Sequence, residues 1–394
     1  MELASKDSCT GCGNCGLVCK KKAVTFTRDA LNNIYPVIDN SKCVGCGLCQ
    51  KVCPAINQVK KNRPKACYSC YASNEAIRKS SASGGVAQAI YRWCLKKDIP
   101  FAGVYFDNKE LTAKYKLGFS EEDIHQFVSS KYTFSFMESI SEDVIDILKN
   151  GKLIVFIGLP CQVAAVKKYA EINKVNTENL LTVDIICHGV PSDLYIKEHV
   201  KNICNGGAEI DRLSFRDERF MTSKFVFSVD YNGKNYHKYV ESNDNFQIGY
   251  HNATIYRPNC YSCMYAGPNR CGDLTIGDFT GLGRVASVDG NIAEMKYQGV
   301  SCVLCNSEKG QKFLAQIGNE KYLSIDSRPI EEALKFENQL ASPSIPSAYR
   351  NRFIELYPEK GFDKACNVVF KKEKLKRPII HAAKMCVKKV LGRR

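Results

Sequence analysis

The sequence predicts a small cysteine-rich domain at residues 1–58, followed by an α/β body with an added β-rich section. The small domain is indicated by a four-cysteine motif that occurs twice within those residues. The body is indicated by alternating buried-strand and helix patterns from residue 66, which are typical of parallel strand–helix–strand units. After about residue 205 the patterns become mainly strand-like, which predicts the added β section.

The composition narrows the class of protein. The chain has 394 residues, of which 44% are hydrophobic and 25% charged, as in a globular protein with a sizeable core. Its first residues, MELASKDSCT, form no apolar signal segment, and no apolar run approaches the ~18–20 residues of a membrane span. We therefore expect a reducing cytoplasm, where clustered cysteines, of which the chain has 21 in all, bind metal more often than they form disulfides.

The net charge of +15 is concentrated at the carboxyl end. Residues 371–394 carry ten basic residues and one acidic residue, so the rest of the chain is only mildly basic and does not predict a nucleic-acid groove. Within this tail, apolar residues recur at helical spacing between lysines: Ile379, Ala383, Cys386 and Val390. Two hypotheses remain open, namely peripheral contact with the inner face of an anionic membrane, and a solvated or self-docking terminal helix.

The opening motif, SCTGCGNCGLVCK, has the spacing C-x-x-C-x-x-C-x-x-x-C, and residues 42–54, KCVGCGLCQKVCP, repeat it. This spacing is typical of bacterial 4Fe–4S ligands, in which three cysteines surround one cluster and the last cysteine of each run ligates the other. We therefore predict two 4Fe–4S clusters. The first takes Cys9, Cys12, Cys15 and Cys53, and the second takes Cys43, Cys46, Cys49 and Cys19.

Two alternatives fit these motifs less well. A four-cysteine zinc site usually has two C-x-x-C pairs separated by a longer loop, and a disulfide knot would require export. Over residues 1–58 the chain resembles bacterial ferredoxins. Between the motifs we predict two short strands and a turn at Leu31–Asn33, and a polar linker, NQVKKNRPK, follows at 57–65.

In the body we distinguish two parts of one domain, 66–150 and 151–320, and then a helical, basic tail at 321–394. Strands are predicted in ACYSCYAS, IPFAGVYFD, KLIVFIG and LLTVDIICHG, and later in KFVFSVDY, GKNYHKYV and DLTIGDF. Helices are predicted at 83–97, at 141–151 and in PCQVAAVKKYA. The helix in PCQVAAVKKYA joins two buried strands, which predicts that these strands are parallel neighbours.

Further cysteines stand at the ends of those two strands. Cys161 follows the first and Cys187 ends the second, so both would lie at the sheet edge where open α/β folds bind ligands. There they could converge with Cys260 and Cys263 as a third four-thiolate site. Alternatively, Cys161 and Cys187 are small core residues, or Cys260, Cys263 and Cys271 bind zinc with a fourth ligand such as His251.

Two other C-x-x-C pairs, Cys67 with Cys70 and Cys302 with Cys305, lie in strand-like runs. Side chains three positions apart on a strand face opposite ways, so neither pair can converge on one ligand. We predict core positions for all four cysteines.

Three motifs, GLPCQVAA, TVDIICHGVPS and RPNCYSCMYAGPNRCGDLTIGDFTGLG, together resemble the beta-subunit family of coenzyme F420 hydrogenases and dehydrogenases. Upstream, RKSSASGGVAQAI and SSKYTFS resemble two further segments of that family. The resemblance implies an oxidoreductase body that holds FAD with an iron–sulfur cluster close by. On this chain it implies that the third 4Fe–4S cluster is bound by Cys161, Cys187, Cys260 and Cys263, whereas Cys271 stands where the family needs no cysteine.

The same resemblance implies the FAD contacts: Ser83, Gly84, Gly85, Lys131, Tyr132 and Asp278. The start of a helix at Ser83–Gly85 would favour a pyrophosphate through its free amides and its dipole. Lys131 could balance phosphate charge, and Asp278 could contact a ribose or the flavin edge. The alternatives are an ordinary helix N-cap, a solvated surface lysine and a turn residue respectively.

These expectations combine into one function. Clusters pass single electrons, and a flavin can exchange them for a hydride. We predict an iron–sulfur flavoprotein oxidoreductase that meets a redox partner protein, either a ferredoxin or a partner subunit. It would exchange a hydride with a small molecule, either the deazaflavin coenzyme or an unsaturated substrate. The alternative is an electron-transfer subunit that feeds a partner enzyme and has no substrate of its own. No catalytic acid or base is identified.

Overall fold

A computed structural model describes residues 3–220, 224–290, 292 and 299–377. Two strands and two short helices make up the small domain: β1 (Val24–Arg28), β2 (Ile34–Ile38), α1 (Asn14–Leu17) and α2 (Leu48–Lys51). The strands pair antiparallel, and Asp29 holds their turn because its Oδ1 accepts hydrogen bonds from the backbone amides of Leu31 and Asn33. The predicted strands and turn between the two cysteine motifs are confirmed.

Nine strands form the main sheet of the body: β3 (Ala66–Ala72), β4 (Phe101–Asp107), β5 (Thr112–Gly118), β6 (Ser135–Phe136), β7 (Ile154–Gly158), β8 (Leu180–Ile185), β12 (Leu274–Asp278), β13 (Ser301–Cys305) and β14 (Leu323–Arg328). Their order across the sheet is β14–β3–β13–β12–β8–β7–β4–β5–β6. The added β section is a three-stranded antiparallel sheet: β9 (Ile210–Ser214), β10 (Phe227–Tyr231) and β11 (Lys234–Lys238). The predicted mixed α/β fold class is confirmed.

The described helices of the body pack on these sheets: α3 (Glu75–Lys79), α4 (Val86–Lys96), α5 (Glu121–Phe127), α6 (Ile140–Lys149), α7 (Pro160–Ile172), α8 (Asp193–Ile203), α9 (Asn245–His251), α10 (Pro258–Tyr261), α11 (Glu308–Asn319), α12 (Glu331–Leu334), α13 (Arg350–Lys360) and α14 (Phe362–Val369). Several of them begin with a side-chain N-cap. In α11, for example, the Ser307 hydroxyl accepts a hydrogen bond from the amide of Gly310.

Four adjacent strands, β4, β7, β8 and β12, run parallel. The predicted parallel pair β7–β8 is in register from Ile154 opposite Leu180 to Gly158 opposite Asp184. Because parallel strands end at the same edge of a sheet, the segments that follow β7, β8 and β12 lie side by side. We call these segments, together with Asp278 at the end of β12, the carboxyl edge: residues 159–161, 186–190 and 278–279.

The two strand-borne C-x-x-C pairs are buried in the core, as predicted. Cys70 and Cys305 pack on the face of the sheet that α4 and α11 cover, whereas Cys67 and Cys302 pack on the opposite face. The two members of each pair therefore face away from each other, as the period of a strand requires.

One sequence-based boundary is wrong. The helical tail was predicted to begin at 321, but β14 lies inside that range and pairs antiparallel with β3 at the edge of the main sheet. The strand is too short for its alternation of apolar residues to stand out in the sequence. The amphipathic segment predicted around Ile379–Val390 lies outside the described residues. Within the described ranges, no helix is long and apolar enough to cross a membrane.

Stability should depend on pH through His199, which is buried between two carboxylates. Its Nε2 lies 2.9 Å from Asp244 Oδ2 and its Nδ1 lies 2.8 Å from Asp363 Oδ1. Burial lowers the pKa of His199, but the two carboxylates outweigh it and raise the pKa to about 10. The stabilisation is therefore complete below the ordinary pKa of about 6.5 and is lost as pH rises through about 10.

We accordingly expect the anaerobic unfolding midpoint of the wild-type protein to fall between pH 7 and pH 10. His199→Gln should lower the midpoint at pH 7 and flatten this pH dependence. The exposed His237→Gln variant is the control and should keep the wild-type profile. An equal pH dependence in His199→Gln would contradict the assignment.

Candidate functional site

Four thiols of the small domain lie close together: Cys9, Cys12, Cys15 and Cys53. Burial raises the pKa of Cys12 to about 12, and the neighbouring Cys53 and Cys9 thiols add to this increase. Burial and the same neighbours, together with Cys12, also raise the pKa of Cys15. Cys53, from the second motif, therefore lies with three cysteines of the first motif.

The other cysteines of the second motif form a separate group nearer the surface. Burial raises the pKa of Cys49, and the thiols of Cys43 and Cys46 contribute to the increase. Cys46 is exposed, and the neighbouring Val44 side chain is 65% exposed. Cys19 Sγ accepts a hydrogen bond from the amide of Ala23 at 3.3 Å. This group faces solvent, whereas the group that contains Cys12 faces the body.

The small domain is fastened to the body beside Cys12. Asn14, between Cys12 and Cys15, is fully buried and donates a hydrogen bond to the carbonyl of Ala165 in α7 at 2.8 Å. Its Oδ1 accepts a hydrogen bond from the Ser141 hydroxyl at 2.9 Å. On the other side, the Tyr265 hydroxyl donates to the carbonyl of Pro54 at 2.8 Å. These buried hydrogen bonds hold the group of Cys9, Cys12, Cys15 and Cys53 against the carboxyl edge.

A cavity between the small domain and the carboxyl edge brings cysteines from both parts of the chain together. Its empty space is about 680 Å³, including the part open to solvent. Five cysteines line it: Cys12 from the small domain, and Cys161, Cys187, Cys260 and Cys263 from the body. The four body cysteines are those that the family resemblance implies as ligands of a third cluster.

Local structure explains how these four thiols reach one cavity. Cys161 is the second residue of α7, and Cys187 lies two residues beyond the end of β8. The chain turns after Cys187 at Gly189, which has a φ of 139° and where a Cβ would lie 2.4 Å from the Tyr256 ring. The amide of Arg257 donates to the carbonyl of Val190 at 2.8 Å, which joins the segments that carry Cys187 and Cys260.

The donor set suits an iron–sulfur cluster. Burial raises the pKa of Cys161, Cys187 and Cys260, and each is raised further by neighbouring thiols of the same group. A raised pKa means that a buried thiolate is unfavourable. Thiolates bound to iron would avoid this free-energy cost because the metal neutralises their charge. In the described part of the chain, no three His, Cys, Asp or Glu side chains are grouped as the ligands of a single metal ion. A 4Fe–4S cluster spreads its thiolates over four iron atoms.

Cys271 and His251, which the alternative zinc site would add to Cys260 and Cys263, do not line this cavity. The Cys271 thiol donates a hydrogen bond to the carbonyl of Pro160 at 3.0 Å and is not part of the cavity lining. His251 Nε2 lies 3.1 Å from Gln247 Oε1 in α9. His188, by contrast, lines the cavity beside Cys187, and burial lowers its pKa.

Ser83–Gly85 lies at the same end of the sheet, where α4 begins. The Gly84 amide donates to Ser301 Oγ at 3.0 Å, and Ser301 stands opposite Asp278 in the sheet. Gly85, with a φ of 84°, occupies the N-cap of α4, and no side chain caps the helix. Ser83 instead donates to the carbonyl of Val300 at 3.3 Å, so the first-turn amides of α4 remain suited to an anion.

Lys131 is half-buried rather than solvated. Its Nζ donates hydrogen bonds to the backbone carbonyls of Val128 and Ser129, at 2.7 and 3.2 Å, at the end of α5. Burial lowers its pKa to about 7. In this arrangement Lys131 caps a helix and orders the loop that leads to Tyr132.

Tyr132 and Asp278 converge on Arg216, which the sequence analysis did not single out. Arg216 Nη1 lies 2.9 Å from Asp278 Oδ2, and the Tyr132 ring stacks on Tyr250 at 4.4 Å. Thr133, which follows Tyr132 in the chain and precedes Phe134 of the cavity lining, buries a hydroxyl that has no hydrogen-bond partner in the described residues. An unpaired buried hydroxyl is costly, so a bound ligand with an acceptor would suit this position.

The comparisons with known proteins match the two parts of the chain separately. Residues 3–61 match the model of a 4Fe-4S dicluster domain. Residues 151–331 match the model of the C terminus of the coenzyme F420 hydrogenase/dehydrogenase beta subunit. Residues 151–331 belong to this family. The chain is therefore an iron–sulfur oxidoreductase component, in which a dicluster domain with two 4Fe–4S clusters carries electrons and is joined to a beta-subunit domain.

Among solved structures, the chain is similar to one chain of the xenon-derivatised F420-reducing nickel–iron hydrogenase complex from Methanosarcina barkeri. The two are 18% identical, the alignment covers 78% of this chain and 91% of that chain, and the TM-score is 0.44. No curated protein matches.

In the beta-subunit domain, sequence reasoning missed the buried side chains that support the cavity. Arg270 lines it and forms an ion pair with Asp184, with 2.7 Å between Nη2 and Oδ1. Asp184 is the fifth residue of an apolar strand, and a charge inside a buried strand is the one signal that pointed to a partner.

A side chain at Gly84 should disturb the start of α4. A Cβ there would lie 2.5 Å from the carbonyl oxygen of Cys70 and 2.7 Å from the amide of Ser301, and neither backbone atom can move alone. We expect Gly84→Ala to cost ~1–3 kcal/mol of stability, as overpacking does, and to reduce the flavin that co-purifies. Gly207→Ala, where nothing lies within 4 Å, is the control. Normal flavin content in Gly84→Ala would argue against a flavin site here.

Proposed function

We propose that this chain is an iron–sulfur flavoprotein oxidoreductase that relays electrons between 4Fe–4S clusters and FAD, and exchanges a hydride with an organic acceptor or donor. One observation carries the proposal. Cys12 of the dicluster domain lines the same cavity as Cys161, Cys187, Cys260 and Cys263 of the beta-subunit domain. A cluster held by these four body thiols would adjoin the cluster held by Cys12, as a short electron path requires.

The residues at this end of the main sheet fit FAD on two grounds. The first-turn amides of α4 lack a side-chain cap, which suits a pyrophosphate beside Ser83–Gly85. Tyr132, Thr133 and Asp278 offer an aromatic face and polar groups at the same end of the sheet. When bound, FAD supplies the exchange between single electrons and a hydride. The role of Lys131 would be to order the loop before Tyr132 rather than to contact phosphate directly.

The protein that exchanges electrons with this chain is proposed to dock beside the thiols of Cys43, Cys46 and Cys49. Cys46 is exposed there beside Val44, and exposed lysines surround the two motifs: Lys20, Lys21, Lys22, Lys42 and Lys51. A basic rim around an apolar centre favours an acidic electron-carrier protein, whether a ferredoxin or a partner subunit. The small molecule is proposed to be the deazaflavin coenzyme or another unsaturated compound.

Anaerobic purification with counts of iron, acid-labile sulfide and flavin tests the proposal. We expect about twelve iron atoms per chain for three 4Fe–4S clusters, together with one FAD. About eight iron atoms would confine the clusters to the dicluster domain, and the absence of a yellow chromophore after acid release would remove FAD. Turnover of candidate acceptors by the purified chain with reduced viologen would support an enzyme. Turnover only with a second protein would favour an electron-transfer subunit.

A further inference from the structure

Arg257 is a fully buried cation at the junction of the two domains. Its side chain is 1% exposed, and it directly precedes α10, which carries Cys260. Its Nη2 donates a hydrogen bond to the carbonyl of Ile34 in the small domain at 3.1 Å. The guanidinium carbon lies 4.7 Å from the centre of the Phe134 ring and 5.4 Å from that of Tyr35.

Nothing in the described residues neutralises this charge. The described ion pairs include no Asp or Glu partner for Arg257, whereas the other fully buried arginine of the site, Arg270, pairs with Asp184. A guanidinium does not lose its proton in a protein, and burying an unpaired ion is costly. The aromatic rings of Phe134 and Tyr35 offset only part of that cost. A further negative charge is therefore expected beside Arg257.

Arg257 also contacts the first cysteine loop and directly precedes the segment that carries Cys260. A Cβ on Gly11, between Cys9 and Cys12, would lie 3.1 Å from Arg257 Nη2, so the guanidinium packs directly against the first loop. Cys260 lies one helical turn after Arg257, and its backbone amide donates a hydrogen bond to the Arg257 carbonyl at 3.0 Å. Cys12 and Cys260 line the same cavity. The Arg257 guanidinium thus lies between the small-domain thiols that include Cys9 and Cys12 and the body thiols that include Cys260.

We propose that Arg257 is a shared counter-charge for the cluster at Cys9, Cys12, Cys15 and Cys53 and for the cluster at Cys161, Cys187, Cys260 and Cys263, and that it raises the reduction potential of both. The second of these clusters rests on the function proposed above. Reduction brings one electron from the donor to a cluster and neither makes nor breaks a bond. The added negative charge is stabilised by a fixed positive charge in a medium of low dielectric constant. Arg257 is thus a positioning residue for charge, and the electron itself does not pass through it.

The test is an anaerobic redox titration followed by electron paramagnetic resonance in wild type, Arg257→Met and Arg257→Lys. In Arg257→Met we expect the reduced-to-oxidised ratio of the two adjoining clusters to fall about tenfold at a given solution potential. This corresponds to a decrease of about 59 mV in each one-electron reduction potential. The cluster at Cys43, Cys46 and Cys49 is the internal control, because its group faces solvent, and its potential should stay unchanged. Arg257→Lys keeps the positive charge, so both reduction potentials should stay close to their wild-type values.

Iron counts separate this proposal from the function on which it rests. About eight iron atoms in wild type would remove the third cluster but leave the shift of the Cys9 cluster to be measured. With about twelve, unchanged potentials in Arg257→Met would overturn the proposal. If Arg257→Met loses iron, Arg257→Gln, which can still donate to Ile34, replaces it. Loss of iron from both neutral variants but not from Arg257→Lys supports the charge requirement, and equal loss from all three overturns it.

Discussion

Cys260→Ala is expected to lower the iron content of the anaerobically purified protein from about twelve to about eight atoms per chain. Cys260 lines the cavity with the other three body thiols, and its neighbour Cys187 reaches the same cavity from the end of β8. With one of four ligands gone, the third cluster should not assemble, whereas the eight cysteines of the dicluster domain are untouched. Intramolecular electron flow from the dicluster domain to flavin should then fall by orders of magnitude.

The matched control is Cys271→Ala. Cys271 is also buried and lies near the cavity, but its thiol points to the carbonyl of Pro160 and is not part of the cavity lining. We expect this variant to keep all its iron and its flavin reduction rate. Full iron in Cys260→Ala, or the same loss in both variants, would contradict the third-cluster assignment.

Arg270→Met is expected to destabilise the protein by ~3–5 kcal/mol, because it leaves the Asp184 carboxylate buried without its ion partner. Both side chains are at most 1% exposed. Arg270 also donates to the carbonyls of Tyr265 and Ile185, at 3.2 and 3.3 Å, and so fastens the loop after Cys263 to the end of β8. The variant should therefore also lose third-cluster iron. Anaerobic urea unfolding and iron counts measure the two effects.

Two further variants make this prediction specific. The double variant Arg270→Met with Asp184→Asn should recover part of the lost stability, because no charge is then left buried alone. The amide oxygen introduced by Asp184→Asn would still be able to accept from the Thr275 hydroxyl, which lies 2.7 Å from Asp184 Oδ1 in wild type. Arg352→Met breaks an exposed ion pair with Glu355 and should change stability little. A small loss in Arg270→Met, similar to that in Arg352→Met, would show that the buried pair is not needed.

Much of the fold was predictable because its signals are local. The parallel pair β7–β8 and the helix α7 between them follow from continuous apolar runs of strand length and from the helical spacing that joins them. The edge strand β14 was missed since it is short and only two of its six residues are apolar, and its pairing partner β3 lies some 250 residues earlier in the chain. Non-local pairing of this kind leaves little trace in a single sequence.

The candidate site, too, was predictable from the sequence only in part. Cys187 and Cys161 could be placed at one sheet edge from strand ends alone, but the sequence left open whether they are ligands or core residues. The side chains that build the wall around them, Arg257, Arg270 and Asn14, carry no motif of their own. Their partners lie between 86 and 223 positions away in the chain.

By itself the sequence determined the dicluster domain, because three ligands of each cluster sit within seven residues and a tight loop is enough to bring them together. It also determined which strands end in cysteine. Only the tertiary structure decided that Cys12 shares a cavity with four cysteines of the body, and that a buried guanidinium lies between them. The physical reason is that docking of the small domain depends on hydrogen bonds and packing between distant segments, such as Asn14 with Ala165 and Tyr265 with Pro54. No local pattern of residues specifies such contacts.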